Sequence, residues 1–167
     1  MSDPLPDRVR AGAKVLCRQE GAVLLVQEEH EDGTPFWTLP GGGVHPGEPP
    51  WAAAQREVRE ELQCDVTGGD RVGQMWYRHR SKPATVTQYA VFAGTLVSSP
   101  APNPDQGVRA YRWADVATPP VRTLSCVKGV LQRLDEGDLL LGSSAEEDTR
   151  RFERVLLDQL NEAIHAD

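Results

Sequence analysis

The chain has 167 residues, 39% of them hydrophobic and 26% charged, the balance of one folded domain rather than a disordered polymer. Its net charge of -7 argues against a sequence-independent grip on DNA or RNA, and no run approaches the ~18 apolar residues of a membrane span. The three cysteines, Cys17, Cys64 and Cys126, are far apart and in no CxxC arrangement, so reduced thiols in a cytoplasmic protein are expected, with neither a disulfide framework nor a zinc site.

Residues 1–7 read as a disordered lead without an apolar secretory run. Val9, Ala11, Ala13, Val15 and Cys17 alternate with the period of a half-buried strand. Arg18–Gly21 reads as a turn and Ala22–Gln27 as the returning strand. Glu28–Pro35 reads as a charged loop, and Phe36–Leu39 as a short strand stopped by Pro40. Gly41–Gly43 and the following His45-Pro46-Gly47 predict an irregular loop. A helix should start near Pro49-Pro50-Trp51, where proline is tolerated in the first turn, and run to about Leu62. Cys64–Val66, Val72–Tyr77, Thr85–Val97 and Val108–Trp113 read as strands, and Ser98–Asp105 as a loop. Two helices are predicted to follow, Val121–Glu136 and Ala145–Ala166. In the second, Phe152, Val155, Leu156, Leu160 and Ile164 mark an apolar stripe, expected to pack on the domain or on a second copy in a homodimer. The order predicts a layered α/β or α+β domain over residues 8–142, with residues 143–167 as an added C-terminal helix.

Arg56-Glu57-Val58-Arg59-Glu60-Glu61-Leu62 places three carboxylates at i, i+3 and i+4 of the central helix. Ala54, Val58 and Leu62 line a different face, the one expected to be buried. Such acid crowding is either a solvated face or a site for a hard divalent cation, because oxygen ligands suit Mg²⁺ or Mn²⁺. Charge is also uneven elsewhere: Arg71–Arg112 carries six basic residues against the single acid Asp105, which suits a small anionic ligand better than a polymer.

Gly42 is followed after five residues by Glu48, and after seven more by Arg56, Glu57, Val58, Arg59, Glu60 and Glu61. This spacing resembles the signature box of the Nudix hydrolase superfamily at seven specified positions. The resemblance rests on Trp37–Val66. It implies a mixed β-sheet sandwiched between helices, to which the C-terminal helices are added. It implies a metal-dependent pyrophosphohydrolase that cleaves a phosphoanhydride in a nucleoside diphosphate linked to another moiety, with Mg²⁺ or Mn²⁺ as cofactor. Glu57, Glu60 and Glu61, with the Gly41 carbonyl, would hold the metal. Glu48 and Arg56 would orient those carboxylates, and Gly42 would let the backbone come close.

The sequence departs from the pattern at Gln63, where the box has glycine, and at Cys64 in its last aliphatic position. Many members also carry an acid just before the strand ending in tryptophan. Here Gly107 stands near that place, with Asp105 as a replacement, so a box glutamate, Glu60 or Glu57, is the expected base. Trp37, Arg78, Arg80 and Arg109 are candidate substrate contacts, each set against a purely structural role. The rival reading is a Nudix-type module that binds a nucleotide without hydrolysing it.

Overall fold

A computed structural model of the chain describes residues 8–78 and 84–137. The expected disordered lead, Arg80 and the expected helix Ala145–Ala166 fall outside the described residues.

Seven strands and two α-helices form a mixed α+β fold among the described residues. In chain order they are β1 (Arg8–Gln19), β2 (Ala22–Glu29), β3 (Pro35–Thr38), β4 (Gly41–Gly43), α1 (Pro50–Leu62), β5 (Val66–Arg78), β6 (Thr85–Leu96), β7 (Ala110–Asp115) and α2 (Ser125–Asp135). The main strand path is β3-β2-β1-β6-β5; β4 pairs with β1 and β7 with β2. β1 and β6 run parallel from Arg8↔Thr85 to Cys17↔Gly94, and the other pairs are antiparallel.

Alternation along the strands feeds two cores, because successive side chains leave opposite faces. Ala13, Val15 and Cys17 of β1, Leu24 and Val26 of β2, and Ala90 and Phe92 of β6 meet Ala53, Ala54, Val58 and Leu62 of α1. Leu16, Val23, Leu25, Tyr89 and Val91 meet Cys126, Val127, Val130 and Leu131 of α2. Each fully buried aliphatic side chain contributes about 1.5–3 kcal/mol. The sheet is thus covered on both faces.

β1 and β2 pair only beside their turn, at Arg18↔Val23 and Gln19↔Ala22, and then diverge. β4 enters the gap against β1, with Lys14 opposite Gly41 and Ala13 opposite Gly42. The three glycines therefore form a short strand, not the irregular loop expected from composition. Nothing in glycine content forbids pairing; it permits the close approach that this gap requires.

Three further expectations are corrected. β2 runs on to Glu29, bringing Glu28 out of the predicted loop and into the sheet. Cys64–Val66 and Val72–Tyr77 are not separate strands: Val66–Arg78 is continuous, with register shifts between Gly68 and Asp70 and between Arg71 and Gly73. Its glycines absorb bulges, and the ring of Trp51 lies where a Gly69 side chain would start. α2 starts at Ser125, not Val121, because Arg122 is left-handed at φ 71° and Thr123 turns back onto the Pro120 carbonyl. α1 ends at Gln63, which adopts the left-handed conformation (φ 54°) usually left to glycine.

Candidate active site

Arg56 is the organising side chain of α1. Its Nε donates to Glu48 Oε2 at 2.9 Å and its Nη2 to Glu48 Oε1 at 3.0 Å. The same Nη2 reaches the Gly43 carbonyl at 2.9 Å. Its Nη1 lies between two carboxylates of the helix, 3.0 Å from Glu57 Oε1 and 3.3 Å from Glu60 Oε2. One guanidinium thus ties the loop before the helix, β4 and two box glutamates together. The hydrogen bonds from Arg56, and then the His45 amide, hold the Glu48 carboxyl down at about 2, while Glu48 raises the Arg56 pKa in return. Glu57 also lies against the β4 backbone: a Cβ on Gly42 would sit 2.6 Å from its carboxyl carbon.

Glu61 faces inward. It is 3% exposed, and its Oε1 accepts the Gly41 N–H at 2.7 Å. That burial removes the solvated-face explanation for this residue. Burial pushes its carboxyl up to about 8, with Glu28 and Glu57 adding to the shift and Lys14 and the Gly41 amide opposing it. Lys14, also buried, donates from Nζ to the Gly41 carbonyl at 3.0 Å and lies 5.0 Å over the Tyr89 ring. Burial disfavours the charge of Lys14, but Tyr89, Glu28 and Glu61 outweigh it and raise its pKa. Glu28 completes the group; burial raises its pKa against the pull of Lys14.

The donor set consists of carboxylate and carbonyl oxygens, the hard ligands that Mg²⁺ and Mn²⁺ take. Among the described residues no three His, Cys, Asp or Glu side chains are grouped closely enough to hold a metal ion by themselves. Glu57 and Glu60, both paired with Arg56 Nη1, are oxygen donors of that kind.

Beside this group opens a cleft of about 630 Å³, lined by Arg10, Lys14, Glu28, Thr38, Tyr89 and Gly107 among others. Thr38 Oγ1 is buried with no hydrogen-bond partner among the described residues. At the rim, His30 stacks on Phe36 with ring centroids 4.3 Å apart, and Glu29, Glu31 and Asp32 add acid.

The NUDIX domain model matches residues 6–128, about three-quarters of the chain. The chain belongs to the Nudix superfamily. An RNA pyrophosphohydrolase of Rhodopseudomonas palustris (strain BisB18) is 46% identical over 77 residues, 44% of this chain and 42% of that protein. Nudix hydrolase 6 of Arabidopsis thaliana is 48% identical over 56 residues, 32% of this chain and 20% of that protein. The chain spans less than half the length of the curated relatives it matches. A MutT NUDIX hydrolase from Burkholderia pseudomallei shares the fold with TM-score 0.68 at 20% identity, over 75% of this chain and 98% of that one. An ADP-ribose pyrophosphatase from Streptococcus suis does so with TM-score 0.58 at 22% identity, over 81% and 96%.

Around the Nudix box the expected substrate contacts scatter. Trp37 packs half-buried against the α2 core, and its amide donates to the Arg122 carbonyl. Arg78 ends β5 opposite Val86. Arg109 stands one residue before β7 and pairs with Glu29, Nε to Oε1 at 2.9 Å. Gly107 lines the cleft at φ 80°, and a side chain there would meet nothing within 4 Å. Asp105 is exposed in the 3₁₀ turn Pro104–Gln106, its amide bonded to the Asn103 side chain. Arg10, Lys14, Glu28, Thr38 and Tyr89 escaped the sequence reading. Lys14 had one signal: a lysine at the centre of an apolar strand must find a partner if both faces of that strand are covered.

Proposed function

We propose that this Nudix protein is a metal-dependent hydrolase cleaving a phosphoanhydride bond in a nucleoside diphosphate linked to another moiety. The observation that carries this reading is the single guanidinium of Arg56 holding Glu48, Glu57 and Glu60 at once. A solvated acidic face needs no such clamp.

A bound Mg²⁺ or Mn²⁺ would neutralise phosphate oxygens and lower the pKa of a bound water. Glu57 and Glu60 would hold it from α1, and Arg56 fixes their orientation through second contacts to Glu48 and the Gly43 carbonyl. Glu60, with its side chain 39% exposed, is the box carboxylate open to solvent and takes the proton from the attacking water. Arg10, exposed on the β1 side of the cleft, meets the phosphates. The Thr38 hydroxyl gives a hydrogen bond to substrate or water inside.

A second substrate class, the 5′-triphosphate end of an RNA, is favoured by the relatives named RNA pyrophosphohydrolase. Against it stand the acid on the cleft rim and the net charge of -7, which repel a polymer. Three buried free thiols support a cytoplasmic protein.

The test is a panel with Mg²⁺ or Mn²⁺: nucleoside triphosphates, ADP-ribose, dinucleoside polyphosphates, coenzyme A and a 5′-triphosphorylated oligoribonucleotide, read as released phosphate or pyrophosphate. Turnover of a mononucleotide-type substrate supports the proposal. Tight binding without turnover across the panel overturns it in favour of a binding module.

A further inference from the structure

Thr38 and Glu28 both line the cleft, and the fold gives neither side chain a hydrogen-bond partner. Thr38 is 1% exposed, and its Oγ1 is buried with no partner among the described residues. A hydroxyl shut away from water in this way is costly until a ligand or a water meets it. The Glu28 carboxylate, half-buried near the end of β2, makes no hydrogen bond among the described residues either. The two stand together. β2 and β3 pair with Val26 opposite Thr38 and Glu28 opposite Phe36. Glu28 and Thr38 therefore leave the same face as diagonal neighbours, about 7–8 Å apart at the backbone. A ligand group held by both would satisfy both.

The chemistry of that group follows from its two hosts. An ionised carboxylate only accepts, and it repels a phosphate, so the group must donate to Glu28. The Thr38 hydroxyl both donates and accepts. Alcohol groups meet both demands. Their place along a substrate follows from the neighbours. Gly41 and Gly42 line the same cleft, and Glu57 rests on Gly42. Lys14 and Glu57 lie within electrostatic reach of Glu28. Glu28 is thus beside the box, where the proposed function puts the phosphates. In a nucleotide the part that carries hydroxyls next to the phosphates is the sugar, and the base lies beyond it.

We propose that Glu28 and Thr38 read the neighbouring 2′ and 3′ hydroxyls of the substrate's ribose, one donating to the Glu28 carboxylate and the other accepting from Thr38, so that the cleft selects ribonucleotides over deoxyribonucleotides. This deepens the proposed function and takes from it the position of the phosphates. A sugar lacking either hydroxyl leaves one of the two groups unpaired, which is how a site built around a hydroxyl rejects the analogue without it.

The experiment is calorimetric titration of the full chain, with Mg²⁺, against ADP, GDP, CDP and UDP and their 2′-deoxy and 3′-deoxy counterparts. The parent should bind its preferred ribonucleoside diphosphate about tenfold more tightly than either deoxy form. In Thr38→Val and in Glu28→Gln that ratio should fall to about one, through weaker binding of the ribo form; Thr38→Ser, which keeps the hydroxyl, should retain it. If Thr38→Val does not fold, Glu28→Gln and the parental ratio decide. A parental ratio near one overturns the proposal, and so does a ratio unchanged in the folded variants. A preference among bases that these variants abolish, without a preference between sugars, assigns the pair to the base edge and overturns it as well. Hydrolysis of nucleoside triphosphates is measured beside it. Turnover without sugar selection leaves the hydrolase reading standing and removes this inference. Sugar selection without turnover does the reverse, and a chain that binds no nucleotide sinks both.

Discussion

Arg56 grips Glu48 through two parallel hydrogen bonds, Nε to Oε2 at 2.9 Å and Nη2 to Oε1 at 3.0 Å. This fork fixes the only side chain that touches both Glu57 and Glu60 among the described residues. Glu48 has a folded pKa of about 2, below the ordinary value of 4.5. A depressed carboxyl contributes stability above its unfolded pKa and loses it as pH falls through the folded one. Glu48→Gln should therefore lower the urea midpoint at neutral pH, and the gap to the parent should shrink between pH 4.5 and 2. Unfolding curves across that range check it; a gap independent of pH would assign the loss to packing.

Gly42 makes a second, independent handle on the same carboxylates. A methyl group there would stand 2.6–2.8 Å from the Glu57 carboxyl atoms. The neighbour that must give way is the end of a side chain, so the fold should tolerate Gly42→Ala while Glu57 is displaced. A drop in kcat of about a hundredfold, roughly 2.7 kcal/mol of barrier, with an unchanged circular dichroism spectrum is the expected outcome. Parental activity in this variant would show that Glu57 need not lie on the β4 backbone.

The Nudix box was legible in the sequence because its roles are local: α1 spans Pro50–Leu62, and Arg56 contacts Glu57 and Glu60 within one turn. The long strand β6 was legible for the same reason, from its β-branched and aromatic run. What stayed hidden depends on where distant strands part. Lys14 meets Gly41 across 27 residues only because β4 inserts where β1 leaves β2. Glu28 looked like loop because nothing local shows that β2 continues two residues past Gln27. Trp37, near the glycines in sequence, packs half-buried against the α2 core, and its backbone bridges to Thr123 ahead of α2.

Divalent metal should be required for hydrolysis, and removal by EDTA should abolish it. Glu61→Gln separates metal chemistry from folding. The glutamine oxygen can still accept the Gly41 N–H, so the fold should persist, while kcat should fall at least about a hundredfold if the charge serves the metal site. The folded pKa of Glu61 is raised to about 8 from 4.5. A raised carboxyl favours folding below 4.5 and loses that contribution as pH climbs through 8. Glutamine stays neutral throughout. In EDTA, the melting temperature of Glu61→Gln should therefore gain on the parent as pH rises across that window. A constant difference would mean that Glu61 does not titrate there, and full activity would remove it from the site.

Arg109 forms an ion pair with Glu29, a residue of the cleft wall, the two side chains being 62% and 32% exposed. A pair this open is worth about 0–1 kcal/mol, so Arg109→Ala should leave the melting temperature nearly unchanged. Its effect should be on substrate: KM rising about tenfold with kcat little altered, the sign of an interaction made equally in the ground and transition states. Glu29→Ala decides which partner matters. If Arg109 itself reaches the substrate anion, releasing it from Glu29 should leave KM unchanged or lower it. If Arg109 only holds Glu29 in place against the substrate, both variants should raise KM alike. Unaltered kinetics in both would return the pair to the solvated surface.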